Sequence, residues 1–164
     1  ARAAEAGLRT VNIGPLLGLA EPRREMFFTG LHARFLETSF LQAEVAVSLP
    51  RINEVEGGFS ATQHVGDRLF VQMMTALRVF LPRAGITLST RERAEFRDRL
   101  LTLGATRFSA GSSTGVGGYA IPIKPQTDSA LQFEITDERS VGEVAAAIVA
   151  RHYQPVGKDW EAAL

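Results

Sequence analysis

The chain has 164 residues, 45% of them apolar and 22% charged, with 18 basic side chains balancing 18 acidic ones. That is ordinary globular composition, long enough to bury the core of one domain, and the zero net charge gives no long-range steering toward nucleic acid or an acidic membrane. No apolar run reaches the roughly 18 residues of a membrane span, and the absence of cysteine excludes disulfides and thiolate-held metals or clusters within these residues. The start, ARAAEAGLRT, has no hydrophobic core of the signal-peptide kind. A cytoplasmic protein is therefore expected. The chain opens without Met on what reads as a helix tail, so the expectation is a piece of something longer.

In chain order, Ala1 to Ala6 reads as helix, closed by Gly7. Thr10 to Leu19 (TVNIGPLLGL) reads as a buried strand and then a turn, where Gly14 and Gly18 allow a backbone or a ligand to approach closely; a plain strand-to-helix turn is the alternative. Pro22 suits the first position of a helix running to about Phe40, with Phe27, Leu31 and Phe35 in an apolar stripe beside Phe28 and Leu36. Ala43 to Leu49 reads as a buried parallel strand. Arg51 at its end can bind an anion or form an ion pair across the loop. The long polar segment from Ile52 to Gly66, with Gly57 and Gly58, has the length of a functional loop. Asp67 to Leu81 is an amphipathic helix stopped by Pro82, with Met73 and Met74 as core filler.

Gly85 to Leu88 begins the next strand. Ser89 and Glu92 stand at capping-box spacing, which predicts a helix from about Thr90. Arg91 would then sit at a helix N-terminus, where the dipole disfavours a cation. It either points into a site or pairs with Glu92 or Glu95 in solvent. Phe96, Leu100, Leu101 and Leu103 are expected to face inward, and Gly104 to cap the helix. Ala105 to Ala110 reads as the last strand, followed by GSSTGVGGY, which can form an anion-binding nest but lacks the P-loop pattern. An irregular stretch with Pro122 and Pro125 leads to a short strand at Gln132 to Ile135. A second capping box, Ser140 and Glu143, opens a helix through VGEVAAAIVARHY, and the tail carries Trp160 as a docked cap. His32, His64 and His152 lack metal-ligand spacing and read as surface or helix residues, so no metal site is expected. Asp67, Asp98, Glu134 and Asp137 read as caps and ion-pair partners.

Four strand–helix units in a row argue an α/β fold with a parallel sheet, and four is half of an eight-stranded (β/α) barrel of the TIM type. Such a half-barrel, about four strand–helix units, has two exposed edges and an open apolar interior, and is incomplete without an N-terminal half or a second copy. Ligands in such folds sit at the carboxyl ends of the strands.

Specific segments then carry a family resemblance. They are GPLLGL at Gly14–Leu19, SLPR at Ser48–Arg51, TLSTRE at Thr87–Glu92, FRD at Phe96–Asp98, Leu103 with Gly104, SAGS at Ser109–Ser112, GGY at Gly117–Tyr119, Gln132 with Phe133, and KDW at Lys158–Trp160. In this order the chain resembles the C-terminal half of the 2-iminoacetate synthases, the radical SAM tyrosine lyases of thiamine biosynthesis, with the biotin and thiamin synthesis associated domain spanning 1–164 as one domain. The resemblance implies a barrel whose N-terminal half carries a CxxxCxxC loop for a [4Fe–4S] cluster. That cluster reductively cleaves S-adenosyl-L-methionine to a radical that abstracts hydrogen from tyrosine. 4-Cresol leaves, and 2-iminoacetate (dehydroglycine) passes to thiazole synthase.

For residues, the resemblance implies that Arg91 holds the substrate carboxylate and Ser109 supports the amino-acid moiety. A guanidinium fork suits a planar carboxylate, and a hydroxyl can both accept and donate. The same resemblance implies that Ile13, Gly14, Pro15 and Leu16 fall on the family's adenosylmethionine side and that Arg51 reaches the cofactor or the substrate carboxylate. Two departures stand out. The cluster cysteines are missing, so this chain should be inactive alone and holds no catalytic or metal residue of its own, and Gly157 stands where an aromatic is usual before KDW. The related tyrosine lyases of hydrogenase cofactor assembly share the TRE, SAGS and QFE segments but carry a cysteine-bearing C-terminal extension. The end at KDWEAAL favours the thiamine branch. A third reading is a non-catalytic module, a homodimer closing the half-barrel through its open edges.

Overall fold

In the computed structural model, residues 1–52, 60–114 and 134–157 are described. Period-two runs of β-branched and small residues give four strands: β1 (Thr10–Ile13), β2 (Glu44–Ser48), β3 (Gly85–Leu88) and β4 (Arg107–Phe108). All pair in parallel, in the order β1-β2-β3-β4. Between them run α2 (Pro22–Ser39), α3 (Asp67–Phe80) and α4 (Ala94–Leu101); α1 (Arg2–Glu5) precedes β1 and α5 (Val141–Val149) follows β4. Each strand lies beside its predecessor in the chain, as consecutive units of a (β/α) barrel do. The α/β half-barrel reading holds.

The two faces of the sheet differ. Val11, Ile13, Val45, Val47, Ile86, Leu88 and Phe108 pack into one apolar core with Leu36, Phe70, Met74, Leu77, Phe96 and Leu100. The register puts Thr10 beside Glu44, Ala46 beside Gly85, and Thr87 beside both Ser48 and Arg107 on the opposite face. There Thr10 Oγ1 donates to Glu44 (3.4 Å), and Arg107 pairs with Glu44 as well. The expected apolar interior is therefore corrected: the inner face is small and polar.

Helix α2 opens on Pro22, and the Glu21 carboxylate accepts from the backbone N–H groups of Arg23 (3.1 Å) and Arg24 (2.7 Å). Phe27, Leu31 and Phe35 share a face, as their spacing requires, yet that face is 62%, 45% and 52% exposed. The core side is Met26, Gly30, Ala33 and Leu36. Small residues win there because they let α2 approach α3: Leu77 and Phe80 lie 3.5 Å from where a Cβ would stand on Gly30. Helix α3 matches its expected span, and Met73 and Met74 join the core.

Three further expectations need correction. Helix α4 starts at Ala94 rather than Thr90, with no side-chain cap, because Glu92 turns inward to an ion pair instead of closing a box with Ser89. Leu103 is exposed rather than buried. Glu134 and Ile135 are not in a strand, and α5 stops at Val149, with His152 in the left-handed region at φ 63°. Gly104, at φ 107°, does close α4. Gly57, Gly58, the GVGGY part of the nest, Gln132, Phe133 and Trp160 lie outside the described residues. Among the described residues no helix is long and apolar enough to cross a membrane.

The second capping box forms. Ser140 Oγ accepts from the Glu143 N–H (3.3 Å) and Glu143 accepts from the Ser140 N–H (2.8 Å). Ser140→Ala is expected to lower stability by about 1 kcal/mol, the ordinary cost of a lost N-cap, read as a shift in urea midpoint at constant slope.

Candidate functional site

At the carboxyl end of β1 the chain needs a glycine. A Cβ on Gly14 would stand 1.9 Å from the carbonyl oxygen of Ser48. The close approach is thus to backbone, and it continues: Leu17 N–H donates to Pro50 (2.8 Å) and Ile52 N–H donates back to Leu17 (2.9 Å), a parallel bridge between Leu17 and Arg51. Gly18, at φ 116°, accepts from the N–H groups of Thr62 (2.9 Å) and Gln63 (3.1 Å). The GPLLGL turn is sewn to the SLPR end of β2.

Of the two alternatives for Arg51, the structure displays the ion pair. Its Nε (2.8 Å) and Nη2 donate to Glu92, and Nη1 donates to Asp67 (2.9 Å) and to the Val65 carbonyl (2.9 Å). The guanidinium carbon lies 5.1 Å from the Phe70 ring centre and 5.3 Å from that of Phe96. Burial acts to lower its pKa, but Glu92 and Asp67 outweigh burial and raise it.

Arg91 sits in the turn before α4 rather than on the helix end, which removes the dipole conflict. Its N–H donates to Ser89 Oγ (3.3 Å) and its Nη1 donates to the main-chain oxygen of Arg51 (3.3 Å). Half-burial lowers its pKa. Arg91, Arg51, Leu17, Ile52 and Thr136 line a pocket of about 440 Å³ at the strand ends. Ser109 and the residues Ile13, Gly14, Pro15 and Leu16 stand at the ends of β4 and β1, beside that lining rather than in it. Ser109 is half-buried, and its N–H donates to Leu88 (3.0 Å). The structure therefore brings the named residues to one end of one sheet, with Arg91 and Arg51 in a common pocket.

A second charged cluster carries this end. Arg97 is fully buried and donates to Asp137, itself 2% exposed, and to the Ser109 carbonyl. Arg139 grips Asp137 (2.8 Å) and Asp98 (3.0 Å), and Arg151 adds to Asp98 (3.1 Å). Main-chain bonds complete the knot: the N–H groups of Thr136 (2.9 Å) and Asp137 (3.0 Å) donate to Thr90, and that of Gly111 to Arg139 (3.1 Å). Burial would raise the Asp137 pKa, but the bonds from Arg139 and then Arg97 hold it below the usual carboxylate range. The residues before and after Arg91 and Ser109 are thereby fixed to one another. A sequence signal for Arg97 existed: it falls in the same helical stripe as Leu100, and a charge in an apolar stripe asks for a buried partner. Nothing local pointed to Asp137, 40 residues away.

Parallel strand–helix units with a polar inner face and basic side chains at their carboxyl ends define a barrel-type α/β domain with its ligand end in view. The profile of the biotin and thiamin synthesis associated domain matches residues 48–154, and the chain belongs to that family. It is 35% identical over 164 residues to the 2-iminoacetate synthase of Escherichia coli (strain K12), covering 99% of this chain and 42% of that protein. To the 2-iminoacetate synthase of Salmonella typhimurium it is 33% identical over 161 residues, covering 98% and 42%. The X-ray structure of the FeFe-hydrogenase maturase HydG from Carboxydothermus hydrogenoformans superposes with a TM-score of 0.79 at 34% identity, over 97% of this chain and 35% of that one. A second HydG crystal structure gives 0.77 at 33% identity, over 93% and 32%. The chain spans about two fifths of the length of the curated relatives it matches.

Proposed function

We propose that this chain is the C-terminal part of a 2-iminoacetate synthase, a radical S-adenosylmethionine lyase that cleaves tyrosine to 2-iminoacetate and 4-cresol for the thiazole of thiamine. The observation that supports it best is Arg91, half-buried at the strand ends and aimed across the end of β2 into a partly polar pocket. A planar carboxylate matches that fork. On this reading Arg91 holds the tyrosine carboxylate and Ser109 its amino-acid group. Ile13 to Leu16 present the turn against which S-adenosylmethionine lies. Arg51, committed to Glu92 and Asp67, supports Arg91 through its carbonyl oxygen, and its guanidinium does not bind the ligand.

The donor set tests the cofactors. With no cysteine, these residues offer no thiolate for an iron–sulfur cluster, so on this reading the cluster belongs to the remainder of a longer protein. S-Adenosylmethionine fits better, because the inner face is polar toward the strand ends and holds Thr87 Oγ1 buried without a hydrogen-bond partner among the described residues. When bound and reductively cleaved, it supplies the radical that takes hydrogen from tyrosine. This chain orients tyrosine for that event, walls it from water, and releases 2-iminoacetate toward thiazole synthase. Residues 1–164 act as one domain completing the barrel.

The test uses the longer parent protein, reconstituted with iron and sulfide under anaerobic conditions, and assays 4-cresol from tyrosine. Arg91→Ala, shown folded by circular dichroism, is expected to lower kcat/KM about 10²-fold, the scale of a lost charge-assisted carboxylate pair. Unchanged kinetics would remove the carboxylate role. No cresol from the cluster-loaded parent would reject the tyrosine lyase. A second reading, a tyrosine lyase of hydrogenase cofactor assembly, draws on the structural match to HydG. Thiazole formation on adding thiazole synthase favours the first reading, and cresol without thiazole the second.

A further inference from the structure

Helix α2 is apolar on two opposite faces. Met26, Gly30, Ala33 and Leu36 face the core, while Phe27, Phe28, Leu31 and Phe35 stand 62%, 55%, 45% and 52% exposed on the far side. A groove of about 410 Å³ between α2 and α3 runs alongside, floored by Gly30 and Ala76 and walled by Leu31 and Phe80. Phe80 is itself 49% exposed and Val79 83%. A helix apolar on both sides is normally covered on both. Neither sheet edge is involved, because β1 and β4 lie at the ends of the strand order while this face looks outward from the helix layer.

We infer that a second copy of this chain covers the outer face of α2, packed antiparallel across a two-fold axis at Leu31. The stripe reads the same in both directions: Phe, three residues, Leu, three residues, Phe. An axis at Leu31 sets Phe27 against the partner's Phe35, and Phe35 against the partner's Phe27. Arg34, whose side chain is 56% exposed, then lies over the partner's Phe28 as a cation–π contact, and Arg24 faces the partner's Thr38 at the rim. On the outward stripe itself no like charges meet; the same axis sets half-buried Glu25 opposite the partner's Glu37 to one side of the stripe, where Glu37 already pairs with Arg34 of its own chain (3.6 Å). The area is adequate. Aromatic side chains bury about 150–250 Å² each, so three rings about half exposed, with Leu31, Val79 and Phe80, offer roughly 600 Å². A stable interface takes roughly 800 Å² per partner, which the flanking arginine stems supply.

The sequence has no cysteine, so a single introduced thiol reports cleanly. By sedimentation equilibrium the chain is expected to be a dimer with a Kd of about 10 µM or below. Leu31→Glu is expected to weaken it about 100-fold with an unchanged circular dichroism spectrum, while Val141→Glu, at another exposed apolar position, leaves it unchanged. Leu31→Cys, a mild change, is expected to give a covalent dimer with a short bis-maleimide. Phe27→Cys and Phe35→Cys are expected to cross-link efficiently only when mixed. A monomeric chain overturns the inference. So does a dimer that survives Leu31→Glu, or that fails to cross-link through Leu31→Cys; both outcomes point to closure through the β1 and β4 edges.

Discussion

Asp137→Ala is expected to cost about 3–5 kcal/mol of unfolding free energy, the scale of a buried ion pair broken from one side. Arg97 has no exposed surface, and its Nε finds no hydrogen-bond partner among the described residues, so Asp137 is its main compensation. Removing the carboxylate strands a buried guanidinium and takes a ligand from Arg139 as well. Replacing both partners, Arg97→Met with Asp137→Leu, is expected to recover part of the loss, because no charge is then left in the core. Urea unfolding of the two variants separates the cases. A loss below about 1 kcal/mol for Asp137→Ala would mean the pair is solvated in practice. The same pair sets an acid limit. The folded Asp137 pKa lies below its unfolded value, so its contribution is complete above the unfolded pKa of about 3.9 and is lost as pH falls through the lower folded one.

Gly14→Ala is expected to cost about 3 kcal/mol, at the upper end for overpacking, because the new methyl would meet a main-chain oxygen at 1.9 Å rather than a side chain able to swing away. The backbone of β1 or the end of β2 must move. That shift would loosen the Leu17–Arg51 bridge and with it the carbonyl that receives Arg91. Gly157→Ala is the matched control: no atom of the described residues lies within 4 Å of its Cβ position, and the change is expected to stay within about 0.5 kcal/mol. Comparable urea midpoints for the two variants would show that β1 and β2 are not clamped at Gly14.

The sequence was legible where one periodicity acted alone. Helix α3 and strand β2 combine a clear pattern with a clear stop, Pro82 and Pro50, and both lie where expected. It was ambiguous where two signals competed. In α2 the spacing shows which residues share a face, but with apolar side chains on both faces it cannot say which one meets the core; Gly30 and Ala33 decided that by fitting against α3. At Ser89 and Glu92 a local capping box competed with an arginine 41 residues away, and the buried ion pair won. The strand-end position of Arg91 followed from the βα rhythm, whereas the knot beneath it did not, because Arg97, Asp137 and the Ser109 carbonyl meet only through tertiary folding. The polar inner face was present in the alternation of Thr10 and Asn12, Glu44 and Ser48, but reading β2 as buried throughout concealed it.

Arg107 reaches Glu44 by passing over β3, and it can do so because Gly85 has no side chain: a Cβ there would stand 3.0 Å from the Arg107 Nε and 3.1 Å from the Ala46 Cβ. Glu44 is exposed and Arg107 only half-buried, so the pair itself adds at most about 1 kcal/mol. A bulkier residue at 85 displaces the arginine, and a displaced arginine leaves the glutamate without its neighbour two strands away. Positions 44, 85 and 107 are therefore coupled across three strands: the effect of a substitution at any one of them depends on which side chains stand at the other two.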